Sequence, residues 1–416
     1  MYKNVTRDIL TLKERGIVYT FKENITKEEY DSFIETVSMA PFCQEYNWSE
    51  IKDNWGNFHC GLYKDNKLIG VCLILIKKIK FLKLFYVLRG YLIDFTNYED
   101  LKAMTKNIKK LAKKNKAYAV KIAPNFCISD NSFKDEEVEH NYSKDYYIKH
   151  ENLKKLGYKC LGVQKDMHKS FQPQYNIFAP LCDSDSNILS KDEVIKNYSR
   201  IKSYFGNYQE KRGITFEITN DTSKIDILMD LLHQTEQKQS INLRNKEYFE
   251  KIMKYYKNEA YLVFANIDLN KYLNFLNETN AEGELKTDAK ELLEKYGNTM
   301  TLSGALILLP QNTAGIRTSE YLYAGNNLNL TKLHASAALV FEIIKFSIEN
   351  NCHYCNLGGV DGHLTDHLTS FKQRFNGRIM EFACEYDLII SWIYYPVKLL
   401  YPLALKIYKL LHKKKH

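Results

Sequence analysis

The chain has 416 residues, more than one hydrophobic core usually serves, since cores rarely grow beyond about 250–300 residues. Hydrophobic residues make up 45% and aromatic residues 13%, which excludes a disordered chain. Fifty-nine basic against 50 acidic residues leave +9, an excess that suits nucleic acid, an anionic membrane surface or a phosphorylated substrate equally well.

Nine cysteines at irregular spacing argue against a disulfide framework. Met1-Tyr2-Lys3-Asn4 lacks the apolar core and small-residue cleavage site of a signal peptide, so a reducing cytoplasm is the expected location. No stretch reaches the roughly 18 uninterrupted apolar residues of a membrane-spanning helix. The nearest, 388–411, is broken by Pro396, Lys398, Pro402, Lys406 and Lys409.

In chain order, residues 58–63 and 68–76 flank Lys64-Asp65-Asn66-Lys67 and predict a β-hairpin. A third strand, 85–88, leads into Arg89-Gly90-Tyr91-Leu92-Ile93-Asp94. A basic helix over 98–115 and a strand over 118–122, stopped by Pro124, come next. Residues 125–150 are polar and predict a loop with one short helix. The pattern restarts near Phe171-Gln172-Pro173, with a helix over 191–211, a strand over 214–218, a helical region over 223–257 and a strand over 261–265. Residues 268–297 are charged and helix-forming around a turn at 279–283, which predicts a short helical hairpin between two strands. Strands over 301–309 and 320–324, a long helix from Thr331 and a short strand over 352–357 complete the series. That last strand opens into Gly358-Gly359-Val360-Asp361-Gly362, read as a glycine-rich turn. Strands alternating with long helices indicate an α/β protein of two units.

Familiar catalytic signatures are missing. Cys352-His353-Tyr354-Cys355 has zinc-like spacing without a second pair, and His363-x-x-x-His367 lacks the glutamate of a zinc-protease helix. No metal site is expected. Nucleophile elbow, phosphate-binding loop and dinucleotide fingerprint do not occur.

Three blocks near the end are more telling. They are Leu322-Tyr323-Ala324-Gly325-Asn326, Tyr354-Cys355-Asn356-Leu357-Gly358-Gly359-Val360-Asp361-Gly362, and Phe371-Lys372-Gln373-Arg374-Phe375-Asn376-Gly377. In order and spacing they resemble the second half of the Fem family, the non-ribosomal peptidyltransferases that add bridge amino acids from aminoacyl-tRNA to peptidoglycan precursors. Upstream, the run from Gln44 through Trp48 to Lys52 is similar to the family's Gln-x-x-x-Trp-x-x-x-Lys. Arg89–Asp94 is similar to Arg-Gly-Pro-x-x-Asp, with Tyr91 in place of proline. The resemblance covers nearly the whole chain. It implies an α/β fold of two acetyltransferase-like (GNAT-like) domains. The first spans 1–165 plus 380–416, and the second spans 166–379 with the hairpin inserted.

The reaction so implied is aminolysis of an ester, by an amine that must shed a proton from a pKa near 10.4. The carbonyl oxygen gathers negative charge and wants a fixed donor or cation beside it. An activated ester needs no metal, cofactor or nucleophilic side chain. The resemblance makes Lys372 the cation near that oxygen and Asp94 the group that holds and helps deprotonate the incoming ammonium. It gives Lys52 and Arg244 to the precursor's diphosphate, with Trp48 packed one turn before Lys52. Tyr323, Phe371 and Gly359 line the substrate site in the same reading. By spacing alone, Lys372 also reads as a solvated lysine between two core phenylalanines. Asp94 also reads as a helix cap or a partner of Arg89, and Lys52 and Arg244 as ordinary surface residues.

The implied donor is aminoacyl-tRNA, and the implied acceptor is lipid II or soluble UDP-MurNAc-pentapeptide; DNA has no part. The missing glycine-rich pyrophosphate loop weighs against coenzyme A as donor. From Tyr386 to His416 six lysines stand against one acid, a net +5, on a segment that either lies on anionic lipid or packs as a core helix. Two other readings stay open: an N-acyltransferase with a different activated donor, and a non-catalytic protein that binds membrane or cell-wall precursors.

Overall fold

The computed structural model describes residues 9–14, 16–132, 142–196, 198, 207–239, 244–281, 283–310 and 315–400. They fall into two compact units. One takes the described residues within 1–129, 140–174 and 381–416, and the other those within 130–139 and 175–380.

The first unit starts with β1 (Ile9–Glu14) and β2 (Ile17–Lys22), followed by α1 (Lys27–Ile34) and the four-residue α2 (Trp48–Ile51). The expected hairpin is β3 (Gly56–Lys64) and β4 (Lys67–Ile79). Its turn places Asp65 and Asn66 at φ of 47° and 65°, the mirror-image turn that suits the strands' twist. β5 (Leu82–Arg89), α3 (Tyr98–Lys114) and β6 (Ala119–Pro124) form a strand–helix–strand crossover. Asn97 caps α3 by accepting from the Asp100 N–H, and Leu101, Met104, Ile108 and Leu111 make its buried stripe. After β7 (Cys127–Ser132) come α4 (Lys144–Lys155) and β8 (Tyr158–Cys160). The sheet runs β1-β2-β3-β4-β5-β6-β16-β8, where β16 is the late strand Tyr386–Ile389.

The second unit repeats this plan. β9 (Tyr175–Pro180), α5 (Lys191–Lys196) and α6 (Asn207–Lys211) precede β10 (Ile214–Thr219), α7 (Ile225–Gln239), α8 (Lys246–Tyr256) and β11 (Ala260–Asp268). α9 (Leu269–Glu278) and α10 (Gly283–Tyr296) are the helical hairpin read from the sequence, inserted before β12 (Thr299–Leu308). β13 (Thr318–Asn326), α11 (Ala335–Glu349) and β14 (Tyr354–Val360) make the second crossover, and α12 (His367–Gln373) and β15 (Arg378–Phe382) follow. Sheet order is β10-β11-β12-β13-β14-β9-β15-β7. α11 is apolar around much of its circumference, with Leu339, Val340, Ile343 and Ile344 all buried, as fits a helix laid across a sheet in the core.

Three expectations need correction. The polar stretch 125–150 contains a strand, β7, and residues 133–141 lie outside the described set. The helix read over 191–211 is described only as α5 and α6, because 197 and 199–206 also lie outside it. Gly358, Gly359 and Val360 do not form a turn but finish β14, which keeps antiparallel register with β9 through Val360↔Tyr175. A bulge between Asn356 and Gly358 absorbs the glycine's φ of +86°, so backbone flexibility ends up inside a strand.

Candidate active site

The two crossovers differ where their parallel strands meet. In the first unit β5 and β6 stay in register from Leu84↔Ala119 to Arg89↔Pro124, so the sheet is closed. In the second unit β13 and β14 hold only Thr318↔Tyr354, Ser319↔Cys355 and Glu320↔Asn356. Beyond that point β14 stays with β9 and β13 stays with β12, and the pair parts. Beyond Glu320 the edge of β13 turned away from β12 therefore has no strand partner as far as Ala324, while the Asn326 N–H donates to the Thr235 hydroxyl of α7 at 3.1 Å.

Lys372 fills the mouth of this opening. It sits on α12, which starts at Asp366, whose carboxylate accepts from the Thr369 N–H at 2.9 Å. The side chain is only 5% exposed, and its Nζ donates to the Gly359 carbonyl at 2.9 Å. A Cβ on Gly358 would stand 3.5 Å from that nitrogen and 3.8 Å from the Tyr321 carbonyl oxygen across the opening. Burial pulls the Lys372 pKa down to about 7, with Asp366 opposing the shift. The bulge is pinned from below: Asn356 accepts from the Gly358 N–H at 2.9 Å, and its amide donates to Glu320 at 2.8 Å. Phe371 meets Phe375 edge-on at 5.6 Å, and Phe375 is wholly buried. Phe375 is the core residue the sequence suggested and Phe371 is partly buried against it, but the lysine between them lies in the interior and is not solvated.

On β13, past the parting point, the Tyr323 hydroxyl donates to the Tyr248 hydroxyl at 3.2 Å. Arg244 is exposed just ahead of α8, its guanidinium 5.5 Å from the Tyr248 ring centre. Arg244, Tyr248 and Tyr323 therefore form one string. Gly325 is set by sterics, since a Cβ there would come within 2.4 Å of the Leu231 carbonyl carbon in α7.

In the first unit, Gln44 closes a 3-10 turn (Phe42–Gln44) and Trp48 opens α2, so the block expected on one helix is split in two. The turn that matters survives: Lys52 caps α2, and its Nζ lies 5.1 Å from the ring centre of buried Trp48. Gln44 is fully buried and bridges strands, accepting from the Leu73 N–H and donating to the Leu73 and Leu88 carbonyls. Asp94 is exposed and accepts from the Thr96 N–H and hydroxyl at 2.8 and 2.7 Å, a local turn ahead of α3. Tyr91, where the family has proline, is buried with its hydroxyl 2.7 Å from that of Tyr158. Arg89 is buried too, donating to the Pro173 carbonyl at 2.7 Å.

Sequence reasoning missed Asn356, Glu320 and Tyr248. The Asn356-x-Gly358 spacing, an amide two residues before a glycine, was the available sign of the bulge cap. Asp366, three residues before Thr369, announced the start of α12.

A parted parallel pair beside a buried amine can hold a carbonyl. Strand-edge N–H groups and a lysine poised near neutrality are suited to the charge that develops on its oxygen. The two units, each a mixed sheet with one strand–helix–strand crossover, have a GNAT-like α/β fold. The profile of the FemAB family matches residues 25–287 and 277–402, and the chain belongs to that family. A lipid II:glycine glycyltransferase of Staphylococcus haemolyticus is 27% identical over 410 residues, covering 89% of this chain and 93% of the relative. The same-named protein of Staphylococcus aureus is 25% identical over 418 residues, with the same coverage. The crystal structure of FemX aligns with a TM-score of 0.70 at 22% identity, over 90% of this chain and 98% of that one. A tandem GNAT protein from the clavulanic acid biosynthesis pathway aligns at 0.50 with 6% identity, over 90% and 99%.

Proposed function

We propose that the protein is an aminoacyltransferase that moves an amino acid from aminoacyl-tRNA to the stem-peptide amine of a peptidoglycan precursor, lipid II or UDP-MurNAc-pentapeptide. Support comes first from the two relatives named for glycyl transfer to lipid II. The observation that carries the chemistry is Lys372, buried with a pKa near 7 where β13 and β14 part.

The aminoacyl carbonyl lodges in that opening. The precursor's amine attacks, a C–N bond forms, and the C–O bond to the ribose breaks. The proton lost by the attacking amine goes to the departing ribose oxygen, which leaves as a hydroxyl. Protonated Lys372 stabilises the oxyanion, and its low pKa lets it pass a proton without a large penalty. For the precursor's diphosphate the second unit offers Arg244, with the Tyr248–Tyr323 string behind it, and the first unit offers Lys52, braced on Trp48. Phe371 and Gly359 set the wall and floor of the opening, while Asp94 receives the ammonium before it loses its proton. The tRNA is held through phosphates and its single-stranded end, so binding weakens with salt.

The test supplies a total charged tRNA pool, with radiolabelled amino acids, to purified lipid II and separately to UDP-MurNAc-pentapeptide. Label in either acceptor is the expected result, and which one takes it identifies the physiological acceptor. No label in either, with folded protein, removes this reading and favours another donor.

A further inference from the structure

At one end of the first sheet, apolar side chains stand in the open among lysines. The turn joining β4 to β5 carries Phe81, 84% exposed, between Lys80 and Lys83. Beyond β16, helical residues 394–400 and the turn before them present Trp392 at 76% and Leu399 at 77% exposure, with Tyr395 and Leu400 also exposed. The opposite side of this helix is anchored. Tyr394 is buried against Leu84 and Ala119, and its hydroxyl donates to the Asp387 carboxylate at 2.8 Å. With Tyr394 turned inward, positions 392, 395 and 399 fall on an outward stripe.

The two features adjoin. The Tyr118 N–H donates to the Lys83 carbonyl at 2.9 Å, and the Ile390 and Ser391 N–H groups donate to the Tyr118 carbonyl at 3.1 Å. Exposed Lys113 and Lys116 come just before Tyr118, at the end of α3. Residues 77–88, 108–123 and 388–400, which build this end, contain no aspartate or glutamate. A face meant for water would not gather tryptophan, phenylalanine and leucine, and a face meant for a protein core would not ring them with lysines.

We propose that this end of the first unit docks on a lipid bilayer bearing anionic headgroups. Phe81, Trp392 and Leu399 enter the boundary between headgroups and acyl chains, where amphipathic aromatic rings partition best. Lys78, Lys80, Lys113, Lys116 and Lys398 meet the lipid phosphates, their stems lying along the apolar surface. The docking extends the reading in which the acceptor is lipid-linked, but it is measured without any transfer reaction.

The test is flotation of the full chain with phosphatidylcholine vesicles, alone or with phosphatidylglycerol added, while tryptophan emission is followed. The expected result is partition into anionic vesicles only, weakening as salt rises, with a blue shift from Trp392. Phe81→Ser with Leu399→Ser should lower partition by about tenfold or more while Trp392 stays as reporter. These side chains are exposed, so circular dichroism and transfer to soluble UDP-MurNAc-pentapeptide should stay as in the parent. Equal binding by parent and variant, or no preference for anionic lipid, overturns the proposal. So does a dimer in vesicle-free sedimentation that the double variant abolishes, since the face would then pair with a second copy. Absence of transfer with vesicle binding intact would count against the aminoacyltransferase reading alone.

Discussion

An ammonium buried like that of Lys372 gives up most of its hydration, and the nearby Asp366 carboxylate offsets that loss only in part. Its folded pKa is near 7, below the ordinary 10.5. Between these values the unfolded chain holds a proton that the folded chain has released, so stability rises with pH across that window. Below about pH 7 the burial penalty is present in full. Lys372→Met should therefore stabilise the fold at pH 6 by on the order of a few kcal/mol and by less at pH 9, read from urea midpoints. The same change should lower kcat far more than it alters precursor affinity; equal losses in both would make Lys372 a binding group only. If the charged amine serves the oxyanion, turnover in the parent falls above about pH 7, and Lys372→Arg, always charged, pushes that fall to higher pH. A parent profile that keeps rising through pH 9 would defeat the cationic role. Gly358 has a matching constraint: its φ of +86° and its nearness to Lys372 Nζ both disfavour a side chain. Gly358→Ala should cut turnover by displacing the amine even where the fold persists, which single-turnover rates would show.

At the scale of elements, two close approaches fix how strands are held. α7 lies on β13 so tightly that a Cβ on Gly325 would meet Leu231 and Leu232 backbone at 2.4 and 2.5 Å. Backbone of a packed helix has no rotamer to change, so Gly325→Ala should destabilise by about 1–3 kcal/mol or more, measured by denaturant unfolding. In the first unit the buried Gln44 amide joins β4 to β5 by serving Leu73 and Leu88. Gln44→Leu keeps the volume but strands those backbone groups, at about 1–3 kcal/mol for each one left unpaired. The sequence made some of this readable. Asp65-Asn66 between alternating apolar runs announced the β3–β4 hairpin, and the 3.6-residue stripe with Asn97 ahead of it announced α3. The helical hairpin between β11 and β12 was readable from charge and the turn at its tip. β9 and β7 were not, because strands of six residues with mixed polarity carry little periodicity of their own. The parting of β13 from β14 was not either, since it depends on β14 finding β9, a partner almost 180 residues away in the chain. Lys372 was legible only through the blocks around it: spacing alone favoured a solvated lysine, and only its burial and its bond to the Gly359 carbonyl at the end of β14 show its setting.

Across the whole molecule, one strand plan occurs twice and is used differently. The first unit keeps its parallel pair in register and fills the adjacent space with Gln44 and Tyr91; the second opens its pair over Lys372. Duplicated folds free one copy to lose a site while the other keeps it. One acyl site per chain is then expected despite two acyltransferase-like sheets. Calorimetric titration with a non-hydrolysable aminoacyl-tRNA analogue should give a stoichiometry near one. Tyr323→Ala should weaken that binding, through loss of its bond to Tyr248 and of the wall beside the opening. Lys52→Ala should leave the analogue's affinity alone and weaken the nucleotide-linked precursor instead, since the residue belongs to the closed unit and is braced on Trp48. Truncating one member of a charge-assisted contact of this kind lowers affinity by about 1.5–3 kcal/mol, roughly tenfold to a hundredfold, which calorimetry resolves. A stoichiometry of two, or loss of analogue binding on Lys52→Ala, would show that the closed sheet also takes the acyl donor, and that register alone does not decide which copy works.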